Sequence, residues 1–256
     1  MTNEIVRFEI PEPGIAVLTM QRPERLNALN GPLLDALADA VRRIASDDAI
    51  RVFLLCGAAR ADGRPCFSAG VDLRAFAEGA GVGTEQGFRL TQAIDDLAKP
   101  SIAVIDGICT TGAAELAVAC HVRIVGAAAR ISDWHLRNLG TGLGAWGAAT
   151  RWARLVGSAR ARELFLTGRE IGAEEAVRIG FASAAHPSER LQEEALATAR
   201  AIAAMDPRGV ALTLAHFRSC DDWSRDEALR FAQLAPRWYG ISVDVEAKGA
   251  EVLGKS

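Results

Sequence analysis

The feature that most constrains this chain is a motif that occurs twice: an apolar run of strand length breaks into a glycine-containing loop, and a helical stretch follows at once. The first instance is RVFLLCG, a loop ending CFSAGVDL, then helical residues around LRAFAEGA. The second is SIAVIDG, the turn CTTG, the short apolar helix AAELAVAC and a further strand, HVRIVGA. Runs that are apolar without alternation suit buried strands, and their succession by helices argues for an α/β fold. Upstream, IVRFEI and IAVLTM flank PEPG as two paired antiparallel strands, and LLDALADAVRRIASD repeats apolar residues at helical spacing behind Pro32. Downstream the pattern turns helical, through ATRWARLVG, SARARELFLTG, AEEAVRIG and two amphipathic stretches, Leu191 to Ala204 and Arg225 to Gly240. No low-complexity linker divides the chain, so we expect a core over 1–190 with a helical region over 191–256 appended to it.

Composition narrows the partners. The 256 residues carry 29 basic and 32 acidic side chains, interspersed, for a net charge of -3, so no basic stripe is available to neutralise a phosphate backbone and no nucleic acid is expected. No apolar run approaches the length of a membrane span and the start lacks a basic cap before an apolar segment, which predicts a cytoplasmic protein with no membrane partner. The five cysteines lack a CxxC pair and several sit in apolar runs, so they are expected to be reduced and mostly buried. His121, His135, His186 and His216 show no metal-ligand spacing, and no metal is predicted.

Chemistry enters at the two glycine junctions. FSAG before VDLRAF and CTTG before AAELAVAC each place a glycine where a strand yields to a helix, so the amides of Val71 and Gly112 lack intrahelical acceptors. Such N–H groups, aided by the helix dipole, can stabilise charge developing on an oxygen. Spacing alone does not separate an oxyanion hole from two tight turns. Glu115 lies three residues after Gly112, on the same face of an otherwise apolar helix. Burying a carboxylate is costly without a partner, so this one is either satisfied by structural hydrogen bonds or kept for proton transfer.

RPERLNALN, CFSAGVDL, KPSIAVIDGICTTGAAELAVACHVRI and LTGREIGAEEAVRIGF, in that order and spacing, resemble the successive signatures of the crotonase (enoyl-CoA hydratase/isomerase) superfamily from about Ile5 to Gly180, with a looser match through DPRGVALTL and SVDVEAKGAE. The resemblance implies a spiral of repeated ββα units forming two nearly perpendicular sheets, followed by C-terminal helices that pack homotrimers, often paired as homohexamers. It implies a substrate that is an acyl-CoA thioester, with coenzyme A as part of the substrate and no separate cofactor. In the family the first motif packs around the pantetheine and ribose-phosphate, which implicates Arg25 and the backbone at Ala28. The SAGVDL segment lies under the adenine and supplies the first oxyanion amide, so Ala69, Val71, Asp72 and Leu73 inherit that neighbourhood; Asp72 also suits a helix N-cap. Gly112 supplies the second amide.

Glu115 falls on the first of the two catalytic glutamates of the hydratases, which activates water. The other glutamate is absent. Where hydratases have a segment like FGxPExxLGxxPGxGGTQRL, this chain has ISDWHLRNLGTGLGAWGAATRW, with His135 at the glutamate's place when counted without gaps and two extra residues before ARLVG. An imidazole near neutrality suits transfer of the α-proton; a structural histidine is the alternative, and Asp133 is a second candidate. His121 replaces an aspartate common in the family and is expected to be structural, a cation at a helix C-terminus. The function implied is a lyase of fatty acid metabolism that hydrates an enoyl-CoA through an oxyanion-stabilised enolate. Isomerisation, carbon–carbon hydrolysis and non-catalytic acyl-CoA binding remain the alternatives. Trp134, Trp146 and Trp152 around the divergent loop suggest a bulky apolar acyl pocket, with at least one of them in the core.

Overall fold

The hairpin comes first. In the computed structural model, which describes residues 4–241 together with Gly249 and Gly254, β1 (Val6–Glu12) and β2 (Ile15–Met20) pair antiparallel around the left-handed Gly14. Helix α1 (Gly31–Ser46) starts where Asn30 accepts a side-chain hydrogen bond from Leu33 N at 3.1 Å, with Pro32 in its first turn. It ends where Lys99 Nζ donates to the carbonyls of Ile44 and Asp47 at 2.7 and 2.8 Å. Its Leu33, Leu34, Leu37, Val41 and Ile44 are buried, as the helical spacing predicts.

The twice-repeated motif then builds two sheets. β3 (Val52–Gly57), β4 (Cys66–Ser68), α2 (Leu73–Ala77) and α3 (Thr84–Asp95) form the first pass; β5 (Ser101–Ile105), β6 (Ile108–Thr110), α4 (Gly112–Ala119), β7 (Val122–Gly126) and β8 (Arg130–Ser132) form the second. α5 (His135–Leu139), α6 (Ala148–Val156), α7 (Ser158–Thr167), α8 (Ala173–Arg178), β9 (Ala184–His186) and α9 (Leu191–Ala203) follow. The larger sheet has the order β1-β2-β3-β5-β7-β9, parallel beyond the hairpin. The smaller sheet, β4-β6-β8, is parallel throughout. The interior strands are apolar on both faces because both faces are covered. Ile15, Val17, Val52, Leu54, Ile102, Val104 and Ile124 pack with Leu191, Ala195 and Ala199 of α9 on one side. Leu18, Phe53, Leu55, Ala103 and Ile105 join the main core with α1 and α4 on the other.

Two expectations change. CTTG is not simply a turn: its first two residues complete β6, and the three-residue strands of the small sheet were too short to show a pattern. The compact first unit also runs through Ala204, past the expected break at 190/191, because α9 lays its apolar face on the large sheet. The second unit holds α10 (Pro207–Ser219), capped by Asp206, and α11 (Arg225–Trp238), which opens with a Ser224–Glu227 capping box. His216, Trp223 and Phe231 cluster between these helices, while Phe217 and Trp238 remain about 70% exposed, at 69% and 70%. Among the described residues, no helix is long and apolar enough to cross a membrane.

Candidate active site

The small sheet brings the two glycine junctions side by side, since β4 and β6 are neighbours with Ser68 opposite Cys109. After β4, Leu29 N donates to Gly70 O and Asp72 N donates to Leu29 O, both at 2.8 Å. This clasp turns the Val71 amide the other way, and it has no acceptor among the described residues. Gly70 is left-handed at φ 83°, and a Cβ there would stand 2.5 Å from Thr110 O, so only glycine permits this approach. After β6, Thr111 N donates to Ser132 O at 3.0 Å, and Gly112 opens α4 with its own N–H likewise without an acceptor. The Val71 Cγ2 atom lies only 3.1 Å from where a Gly112 Cβ would be. The two unpartnered amides thus come from segments in direct contact.

Glu115 is buried at 1% exposure on a helix with every residue buried. Its Oε1 accepts hydrogen bonds from Trp146 N at 2.7 Å and Ala148 N at 3.2 Å, so the loop after α5 folds back to hold the carboxylate at the amino end of α6. The other oxygen, Oε2, lies 3.3 Å from His135 Nε2, and His135 Nδ1 lies 2.8 Å from Asp133 Oδ2. Asp133 Oδ1 also accepts from His135 N at 3.1 Å, which fixes the start of α5. Burial opposes a charged imidazole, but hydrogen bonds and charge from Asp133 and Glu115 outweigh it and raise His135 from 6.5 to about 9. His135 and Asp133 entered the sequence reading as rivals for one role; the structure joins both to Glu115 in one chain. Both ring nitrogens of His135 face carboxylates, and among the described residues no cluster of three or more His, Cys, Asp or Glu is arranged to hold a metal ion.

A cavity of about 560 Å³ opens at this chain. Val71, Thr111, Glu115 and His135 meet the apolar residues Leu73, Val82, Trp134, Leu139, Leu143 and Trp146 on its walls. The Trp146 indole is keyed between two glycines: a Cβ at Gly87 would fall 1.9 Å from the ring, and one at Gly112 2.9 Å from it. Thr91 Oγ1 and Arg151 donate to the Trp146 carbonyl at 3.0 and 2.6 Å. Trp134 also lines the cavity, its Nε1 donating to Gly168 O at 2.8 Å. Trp152 does not: it is a core residue against Phe165 and Phe181.

Of the residues expected near coenzyme A, Ala69 and Leu73 line the cavity. Arg25, Ala28 and Asp72 do not. The Ala28 carbonyl accepts from Arg22. Asp72 accepts from Arg74 N and Ala75 N at 3.2 and 3.3 Å and pairs with Arg22 Nη2 at 2.9 Å, the geometry of a helix cap. Burial pushes its carboxyl up, yet Arg22 and the capping amides hold it below the usual value. Arg22 and Asn27 were missed by the sequence reading. Asn27 is fully buried and left-handed at φ 51°, donating to Ala58 O at 2.8 Å; the tolerance of asparagine for that conformation was the available signal. His121 is structural: Ser101 N donates to its Nδ1 at 3.1 Å and its own backbone N–H donates to Ser101 Oγ at 3.0 Å, which ties the end of α4 to the start of β5.

The sequence profile of the enoyl-CoA hydratase/isomerase family matches residues 11–232. The probable enoyl-CoA hydratase echA12 of Mycobacterium bovis is 32% identical over 227 residues, 83% of this chain and 76% of its own. The enoyl-CoA hydratase structure from Bacillus anthracis superposes with a TM-score of 0.87 at 26% identity, covering 98% of this chain and 96% of that one. A monofunctional enoyl-CoA isomerase from M. smegmatis superposes with a TM-score of 0.73 at 28% identity, covering 88% and 97%. The chain belongs to the enoyl-CoA hydratase/isomerase family and has the crotonase fold.

Proposed function

We propose that the protein is a hydro-lyase that adds water across the α,β-double bond of an enoyl-CoA thioester, and the contact between Glu115 and His135 carries this reading. Hydration needs a base for water and an acid for the α-carbon. Glu115, anchored through Oε1 by two backbone amides, keeps Oε2 for a water proton. His135, charged up to about 9, gives its Nε2 proton to the α-carbon as hydroxide adds to the β-carbon. Val71 and Gly112 N–H hold the thioester oxygen while the enolate exists. The step leaves Glu115 protonated and His135 neutral, and the 3.3 Å contact between them is a path for the proton to return. Asp133 keeps the ring oriented throughout.

The charged state also weighs against carbon–carbon hydrolysis by an Asp133–His135 dyad, which needs a neutral imidazole as base. On this reading coenzyme A is part of the substrate, Ala69 and Leu73 flank it, and Arg25 and Ala28 follow on the neighbouring segment. The protein acts in the cytoplasm, in fatty acid metabolism. The exposed Phe217 and Trp238 of the second unit belong to a homotrimer or homohexamer contact. The test is the ultraviolet absorbance of a 2-enoyl-CoA. The wild type should abolish it, and Glu115→Gln should slow that loss about a hundredfold or more; tight binding with no spectral change defeats the proposal.

A further inference from the structure

Thr111 stands between strand β6 and helix α4 at φ 55° and ψ -115°, a conformation that a β-branched side chain seldom adopts. Glycine would hold it without strain, so what the side chain adds is of interest. Ser132 Oγ donates to Thr110 Oγ1 at 3.0 Å, and the hydroxyls of Thr110 and Thr111 lie 3.1 Å apart. Thr110 is buried at 4% exposure, and among the described residues its hydroxyl meets only these two. Either hydroxyl of the Thr110–Thr111 pair can donate in this geometry, and the direction that pairs every buried proton, with Thr110 already accepting from Ser132, has Thr110 donating to Thr111 Oγ1. The Thr111 hydroxyl therefore accepts from behind and keeps a proton to donate forward. It does so on the wall of the cavity. Thr111 Cβ and Gly112 N each lie 3.4 Å from where a Gly70 Cβ would stand, which sets this side chain at the meeting point of the two segments that carry the Val71 and Gly112 amides.

We infer that Thr111 is a third donor at the thioester oxygen, supplied by a Ser132–Thr110–Thr111 hydroxyl relay beside the two backbone amides. This rests on the proposed function. Two amides give the oxygen two fixed donors; a hydroxyl that can rotate gives a third as charge builds, and the relay behind it sets which way its proton points. The backbone strain is the steric cost of placing a hydroxyl where glycine would fit.

The experiment uses acetoacetyl-CoA, whose bound enolate absorbs in the ultraviolet, titrated with pH on the full-length protein, alongside the dissociation constant of saturated butyryl-CoA. Thr111→Val keeps the β-branch and removes the hydroxyl; Thr111→Gly removes both the hydroxyl and the strain, so one of the two remains readable if the other folds poorly. Both should make the bound thioester about tenfold less acidic and lower kcat by a similar factor. Butyryl-CoA affinity should stay within about twofold, and Thr111→Ser should restore most of the loss. A merely structural Thr111 would not separate enolate acidity from butyryl-CoA binding. Wild-type enolate acidity in both Thr111→Val and Thr111→Gly overturns this inference alone. A wild type that binds neither thioester overturns the parent reading and this one with it.

Discussion

The His135 charge makes a quantitative demand on stability. The imidazole is 5% exposed between Asp133 at 2.8 Å and Glu115 at 3.3 Å, and these raise it from 6.5 to about 9. At about 1.4 kcal/mol per factor of ten, that displacement is worth on the order of 3 kcal/mol to the native state. The sign follows from linkage. Below 6.5 the residue is protonated in both folded and unfolded chains, and the stabilisation is fully present. Between 6.5 and about 9 only the folded chain holds the proton, so stability falls as pH rises; above about 9 the contribution is gone. His135→Gln, neutral at every pH, provides the reference that cancels the titrating groups remote from the site. Urea unfolding of both proteins at pH 6 and pH 9.5 should show the wild-type advantage shrinking by about 3 kcal/mol at the higher pH. Parallel pH dependences for the two proteins would refute an imidazolium held between two carboxylates.

Other consequences are as direct. Asp133→Asn removes one of the two charges and should bring the alkaline limb of the rate profile down from about 9 by roughly one pH unit, with the acyl-CoA dissociation constant little changed. His135→Ala should cost about a hundred- to ten-thousandfold in turnover and abolish that limb; an unaltered rate and profile would return the residue to a structural role. Gly144→Ala sets a Cβ 2.5 Å from Glu115 Oε1 at a left-handed φ of 69°; it should destabilise the fold by about 1–3 kcal/mol and lower kcat, and equal melting curves would contradict the geometry. Saturating acyl-CoA should raise the melting temperature, as any ligand of the native state alone does. Sedimentation should show a trimer or hexamer, and a monomer at micromolar concentration would refute the assembly.

Much of this was legible in the residues, for identifiable reasons. β3, β5 and β7 announce themselves because a sheet covered on both faces needs unbroken apolar runs, and α1 does so through periodicity and the proline in its first turn, whereas its Asn30 cap emerged only from the structure. Helix α3 was not read, since TEQGFRLTQAID buries only four of its residues, two of them Gly87 and Thr91, which carry no apolar period. The small sheet depends on long-range pairing of three-residue strands, and nothing local encodes that. At the site, Gly112 and Glu115 were readable because one helix fixes their spacing. The link from Asp133 through His135 to Glu115 was not, because it depends on how the loop with two extra residues folds back to place the Trp146 and Ala148 amides on Glu115. Trp152 was ambiguous for the same reason, its neighbours Phe165 and Phe181 coming from helices whose docking the sequence leaves open.

The most direct test of the proposed hydration is the mass of the product formed from a 2-enoyl-CoA in heavy water. Hydration predicts a saturated product heavier by one solvent water, with a deuterium fixed at the α-carbon where His135 delivers its proton and a deuteroxyl group at the β-carbon. A product that exchanges deuterium without gaining the oxygen of water, its double bond merely moved, would contradict hydration and make the enzyme an isomerase.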